Sequence, residues 1–417
     1  MAREKILIVE DNKALSKLII KKMETSLDFD VDAAYTFEEA KSLVEKNSDY
    51  FVALLDLNLP DAPDGEVVDL ILSYKIPSII LTGTMDQEIR EKILKKDVID
   101  YVYKGNIDDV NYIFTLIERL HKNRDIKVMI VDDSMATRSQ VKSLLQHQMF
   151  KVLVAAHGEE ALAFLRDNPD IKLILTDYLM PVIDGVELTK EVRKLYSKNE
   201  LSIIAMTASN QELISAKFLK IGVNDFINKP FTREEIACRI NNSLDSLEYI
   251  AKIEDMAQND FLSGLANRRY FFDAMQTYYK EAKKKNESFA LALIDVDSFK
   301  QINDTLGHNV GDAVIVELAR ALEKQLTHEH LIARLGGDEF CVVPKNSDQK
   351  KALEFFLKLK NAISPLHIKV KEAKNLNVTV SIGVTFNDLE SVEEMINQAD
   401  KALYTAKKNG KNRVEVA

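Results

Sequence analysis

Acidic side chains recur at the ends of apolar runs in this chain, each set followed at a distance by a hydroxyl and an amine. Glu10 and Asp11 close KILIVED, Asp56 closes ALLD, Thr82 follows IIL and Lys104 follows YVY. Further on, Asp132 and Asp133, Asp177, Thr207 and Lys229 stand after apolar runs in the same order. A single acid after a strand commonly caps a loop or a helix. Five such positions, repeated in order, ask for a chemical reason.

A second constellation lies in the last third. FALALID ends in acid at Asp295, and LIARLGGDEFCVV (331–343) sets Gly336 and Gly337 between apolar runs, the pattern of a hairpin turn, with Asp338 and Glu339 beside it. If the strand ending at Asp295 lies next to this hairpin, three carboxylates converge. They repel unless divalent cations join them, and ligands that are all oxygen suit Mg²⁺ or Mn²⁺. Glycines beside them let the backbone approach a phosphate, so the spacing points to a nucleotide–metal site.

The elements that position these residues read from periodicity. KILIVEDN (5–12) and KVMIVDDS (127–134) are one segment written twice, with later matches in register: the offsets are 122 from Asp11 to Asp133, 121 from Asp56 to Asp177, and 125 from Thr82 to Thr207 and from Lys104 to Lys229. Short apolar runs alternate with helical-period segments in each copy, which predicts a doubly wound parallel sheet with its chemistry at the carboxyl ends of strands. The length, 417 residues, suits two to four domains, and the expected divisions are 1–122, 125–244, a helical linker 245–259, and 260–417. Hydrophobic residues make up 46% and charged residues 29%, which excludes disordered and collagen-like classes. A net charge of −10 gives no general footprint for nucleic acid, Cys238 and Cys341 have no metal-ligand spacing, and no apolar run spans a bilayer. The expectation is a cytoplasmic protein without membrane insertion.

The repeated residues resemble the receiver domain of two-component response regulators over nearly the whole of both copies. The resemblance implies that Glu10 with Asp11, and Asp132 with Asp133, bind Mg²⁺. It also implies that a histidine kinase or phosphotransfer protein phosphorylates Asp56 and Asp177, that Thr82, Lys104, Thr207 and Lys229 contact the phosphoryl group, and that Tyr101 and Phe226 are aromatic switches. The first copy departs from the second: it has Glu10 in place of Asp, an Asp56-to-Thr82 interval of 26 against 30, and Lys104-Gly105 where the second has Lys229-Pro230. The shortening predicts a truncated helix after Gly65, the missing proline lets Lys104 sit differently, and the second site reads as the more complete.

DVDSFKQINDTLGHNVGD (295–312), RLGGDEF (334–340) and ADKALYTAKKNGKNRV (399–414) together resemble the GGDEF family of diguanylate cyclases, an α/β nucleotidyl-cyclase-like fold, over all of the third domain. That implies two GTP, one per subunit of a homodimer, joined into cyclic di-GMP with release of two pyrophosphates. By position, Asp295, the carbonyl of Val296, Asp338 and Glu339 hold metal, Asp338 accepts the proton and Lys300 stabilises phosphate charge. Asn303, His308 and Asp312 meet the substrate, and Lys407 and Lys411 meet its phosphates. Lys411 replaces the usual Arg and loses a bidentate fork. The family's inhibitory R-x-x-D is absent, since 327–330 read Thr-His-Glu-His. Between the domains, Ile240, Leu244, Leu247 and Ala251 form either a short coiled-coil stripe or the core face of the second receiver's last helix. Two rivals to the cyclase stand beside it: a degenerate nucleotide receptor, and a phosphotransfer adaptor acting through its receivers alone.

Overall fold

A computed structural model of the chain describes residues 3–83, 92–93, 96–105, 107–208, 220–326, 330–344, 348–370, 373–387 and 389–417. Thr84 and Ser209, which end one of the repeated segments, and Thr327 to Glu329 of the altered product-site stretch lie outside them. The chain forms two compact units, Met1–Tyr249 and Ile250–Ala417.

The first unit holds two copies of one design. In the first copy β1 (Lys5–Val9), α1 (Lys13–Ser26), β2 (Asp30–Ala34), α2 (Phe37–Lys46), β3 (Val52–Asp56), α3 (Glu66–Ser73), β4 (Ser78–Thr82), β5 (Asp100–Tyr103) and α4 (Ile107–Asn123) build a parallel sheet of order β2-β1-β3-β4-β5. Strands β3 and β4 are buried at every position, as a parallel sheet covered on both faces requires. In the second copy β6 (Lys127–Val131), α5 (Met135–His147), β7 (Lys151–Ala155), α6 (Gly158–Asp167), β8 (Ile171–Asp177), α7 (Gly185–Leu195), β9 (Ser202–Ala208) and β10 (Asp225–Lys229) build the sheet β7-β6-β8-β9-β10, also parallel. Helix α3 has 8 residues against 11 in α7, the shortening expected after Gly65.

Helix α8 (Arg233–Gln258) is one continuous rod of 26 residues. Ile240, Leu244 and Leu247 are buried in the core of the second copy, so this part of the stripe is the inner face of the receiver's last helix, while Ala251 beyond it is exposed. A different face carries exposed apolar side chains beyond it, Tyr249, Ile253 and Met256.

The second unit continues with α9 (Arg268–Lys285), β11 (Ala290–Val296), α10 (Phe299–Leu306), α11 (His308–Gln325), β12 (Leu331–Gly336), β13 (Glu339–Val343), α12 (Gln349–Ile363), β14 (Leu366–Val370), β15 (Ala373–Val378), β16 (Val380–Phe386), α13 (Val392–Lys408) and β17 (Val414–Val416). Its sheet runs β12-β13-β11-β16-β17, antiparallel except for the last pair. Strand β11 is buried throughout, with Ala290, Ala292 and Ile294 in a core shared with α11 and α12, and Leu291 and Leu293 in one shared with α9 and α13. That double cover holds Asp295 at the strand's end.

Candidate phosphoacceptor and nucleotide sites

Each receiver gathers its carboxylates where strand ends meet. In the first, Glu10 follows β1 and is buried, Asp56 ends β3 and is buried, and Asp11 is exposed. Asn12 caps α1 by accepting from the N–H of Ala14 and Leu15, which turns the chain immediately after the acidic pair. Lys104 Nζ donates to Glu10 at 2.8 and 2.9 Å and to Asp56 at 2.5 Å. In the second, Lys229 Nζ donates to Asp132 at 2.6 Å and to Asp177 at 2.5 Å. The expectation that Lys104 sits differently is corrected: although the Lys229-Pro230 bond is cis, both lysines reach the same two carboxylates, because parallel pairing of the neighbouring strand sets their position.

Thr82 and Thr207 are buried beside these groups, and Thr207 Oγ1 donates to Asn228 at 2.8 Å. Tyr101 and Phe226 pack against the cores of their own receivers. Glu10, Asp11 and Asp56 each offer an oxygen within 4.8 Å of the others, the one such group of three among the described residues. The carboxylates therefore stand closer together in the first site than in the second, which the sequence ranks as more complete.

In the second unit, β11 and β13 pair so that Asp295 lies opposite Glu339, and Asp338 sits in the turn between β12 and β13. The sheet brings these three carboxylates to one end, near enough for the charges of Asp338 and Glu339 to act on Asp295, though not as close together as Glu10, Asp11 and Asp56. Gly336 and Gly337 have φ of 145° and 53°, backbone that favours glycine, and Arg334 clamps the turn with two bonds to the Gly337 carbonyl and one to Asp260. Lys407 Nζ, at the end of α13, stands 2.7 Å from Asp295. Lys300 lies in the first turn of α10 and is exposed, as are His308 and Asp312 on α11. Asn303 Oδ1 is shielded from solvent without a partner, and it presses so closely on α11 that a Cβ on Gly311 would fall 1.9 Å from it. Lys411 Nζ donates to Ser298 Oγ at 2.7 Å, just before α10.

The pattern of the family described as response regulator receiver domain matches residues 6–112 and 128–241, and that described as diguanylate cyclase, GGDEF domain, matches 257–413. The chain belongs to the response regulators and carries a GGDEF domain. Response regulator PleD of Caulobacter vibrioides is 26% identical over 98% of both chains, and Diguanylate cyclase A of Treponema denticola is 32% identical over 56% of this chain and 64% of its own. A solved two-component response regulator/GGDEF domain protein is 41% identical and superposes with a TM-score of 0.55, over 59% of this chain and all of the other.

Electrostatics in this response regulator favour cations at all three sites. In each receiver one lysine faces two acids, Lys104 with Glu10 and Asp56 and Lys229 with Asp132 and Asp177, and in the GGDEF domain Lys407 faces Asp295. Burial pushes the Glu10 and Asp177 carboxyls above their usual range, and their lysines only partly offset it. Burial alone would lower Lys104 and Lys229, yet their bonds to the paired carboxylates outweigh it and hold both ammonium groups charged. Asp295 is pushed up to about 6 by burial, with the Lys407 hydrogen bond opposing and the fields of Asp338 and Glu339 reinforcing. Surplus carboxylates with oxygen-only donors fit a hard divalent cation, which would relieve that repulsion. Periodicity missed two residues that the structure brings forward, Arg119 and Asp297, since each is a lone charge without a repeated pattern. The DVD spacing is the one signal that could have drawn attention to Asp297.

Proposed function

We propose that this response regulator is a phosphorylation-controlled diguanylate cyclase that converts two GTP into cyclic di-GMP and two pyrophosphates as a homodimer. The observation that carries the reading is the register of β11 on β13, which sets Asp295 opposite Glu339 with Asp338 in the adjoining turn. Asp295, Asp338, Glu339 and the Val296 carbonyl would hold Mg²⁺ or Mn²⁺, which supplies Lewis-acid stabilisation of the phosphates. Asp338 takes the proton of a ribose 3′-hydroxyl as that oxygen attacks the α-phosphate of the opposite GTP and pyrophosphate leaves. Lys300 neutralises the charge that gathers on the phosphates, and Lys407 and Lys411 hold the triphosphate. The unpaired Asn303 Oδ1 is an acceptor waiting for a donor, and a guanine edge offers N–H groups that adenine lacks at the same positions. His308 and Asp312 are exposed on α11, whose Gly311 packs against Asn303.

One domain holds one GTP, so two copies must face each other, and the exposed Tyr249, Ile253 and Met256 on one face of α8 give a second copy an apolar stripe to cover. In the receivers, Asp56 and Asp177 accept phosphate from a histidine kinase or phosphotransfer protein. Glu10 with Asp11, and Asp132 with Asp133, would hold Mg²⁺, which would supply charge neutralisation for this transfer, and Thr82, Lys104, Thr207 and Lys229 contact the phosphoryl group. Tyr101 and Phe226 relay the change. The protein works in the cytoplasm, where GTP is made, and no described helix is long and apolar enough to cross a membrane. Incubation of purified protein with GTP and Mg²⁺, followed by chromatography, tests the reading. Cyclic di-GMP supports it, whereas bound but unchanged GTP points to a nucleotide receptor and no binding to a receiver-only adaptor.

A further inference from the structure

Two residues beyond Asp295 lies a second carboxylate that the reaction does not use. Asp297 is 7% exposed, and its oxygens accept from three donors: Oδ2 from Thr379 Oγ1 at 2.6 Å and from the Asn412 N–H at 3.0 Å, Oδ1 from Ser381 Oγ at 2.7 Å. Its own N–H donates to the Thr379 carbonyl at 2.9 Å. The hydroxyls belong to β16 and the residue before it. The third donor comes from the C-terminal turn that leads from α13 into β17.

That turn is conformationally unusual. Gly410, Lys411 and Asn412 have φ of 112°, 61° and 49°, three successive residues in the left-handed region, which the Lys411 side chain disfavours. Such a run persists only where its surroundings hold it. Asn412 is held from both sides: its N–H ends on Asp297, and its Oδ1 accepts from Ser364 Oγ at 2.9 Å. Pinned in this way, the turn sends Lys411 across to Ser298 Oγ, at the start of the helix that carries Lys300.

We infer that Asp297 is a positioning residue for nucleotide binding: by fixing the Gly410–Asn412 turn, its buried carboxylate places the Lys411 ammonium beside α10, where triphosphate binds. The inference rests on the cyclase reading for the identity of that ligand. An Arg at 411 would bring a forked pair of donors to phosphate, whereas Lys411 brings a single point charge, here anchored at Ser298.

The test is a double-mutant cycle on the full chain. Affinity for GTP carrying a ribose methylanthraniloyl fluorophore is measured with Mg²⁺ for the wild type, Asp297→Asn, Lys411→Ala and the double variant, with thermal midpoints to confirm folding. Asp297→Asn should weaken binding by about tenfold, and the double variant should bind no more weakly than Lys411→Ala, because the two act through one contact. In turnover the loss should appear in KM with kcat little changed. If the two losses multiply, or if Asp297→Asn binds like the wild type, the inference is overturned. Should Asp297→Asn fail to fold, Ser381→Ala, which removes one donor to the same carboxylate, takes its place in the cycle with the same outcomes. Tight binding by a wild type that makes no cyclic di-GMP would sink the cyclase reading and leave this result standing.

Discussion

Replacing Asn303 with Ala should stabilise the GGDEF domain while loosening its hold on GTP. The side chain is half-buried on α10, and its Oδ1 has neither solvent nor a hydrogen-bond partner. An unsatisfied buried acceptor costs the folded state about 1–3 kcal/mol, and the small cavity that Ala leaves against Gly311 returns part of that. A net gain of about 1 kcal/mol corresponds to a rise in Tm of about 2–4 °C for a domain of roughly 150–250 residues. The unit concerned is Ile250–Ala417. In the GTP complex the balance reverses, because a guanine N–H loses its acceptor. That loss is worth about 1–3 kcal/mol, or about 5- to 150-fold in KM. Differential scanning calorimetry without nucleotide and initial rates against GTP and ATP read both effects, and the preference for GTP should narrow with the rise in KM. A variant that melts lower than the wild type and keeps its KM for GTP would refute the reasoning, since the orphan oxygen would then serve packing and not the base.

With a small-molecule phosphodonor and Mg²⁺, Asp177→Asn should lose most of the activation of cyclase rate and of dimerisation in sedimentation, and Asp56→Asn a minor part, because the second receiver adjoins α8; the reverse ranking would make the first receiver the switch. Product inhibition should be weak in progress curves with added cyclic di-GMP, since Thr327 and His330 replace the Arg and Asp of the family's inhibitory motif. Inhibition at low micromolar product would show that another site exists. Within the tandem receivers, buried Arg119 on α4 donates to Asp245 at 3.0 Å and to Glu248 at 2.6 Å on α8. Burial pushes the Glu248 carboxyl up, but the Arg119 hydrogen bond and charge outweigh it and hold it below its free value of 4.5. A lowered acid contributes stability above its free value and loses it as pH falls through the folded one. The melting midpoint of this unit should therefore drop below about pH 4.5, and Arg119→Met should flatten that drop.

The receiver residues could be picked out because each stands at the carboxyl end of a strand, so two copies expose the same positions at near-constant offsets. The pairing of Asp295 with Glu339 beside the Asp338 turn was legible for a related reason: a glycine pair between apolar runs specifies a hairpin, and an acid at the end of a fully apolar strand has few places to go. Residue spacing failed on α8, where Ile240, Leu244 and Leu247 have the period of a coiled coil and of an inner helix face alike. Only packing against β6, β8 and β9 distinguishes them. Lys104 was misjudged because its placement follows from the pairing of β5 with β4 and not from the residue after it. Arg119 and Asp297 left no trace in periodicity, since the partners Asp245, Glu248, Thr379, Ser381 and Asn412 lie 82 to 129 residues away.

The central claim is that Asp295, Asp338 and Glu339 form the centre of a cyclase that joins two GTP, and the most direct measurement is a parallel quantification of cyclic di-GMP and pyrophosphate from GTP and Mg²⁺ by the wild type, Asp338→Asn and Glu339→Gln. The wild type should release two pyrophosphates for each cyclic di-GMP, and both variants should fold, melt near the wild type and make neither product, the loss falling mainly on kcat. Appreciable turnover by either folded variant, or pyrophosphate released without cyclic di-GMP, would contradict it.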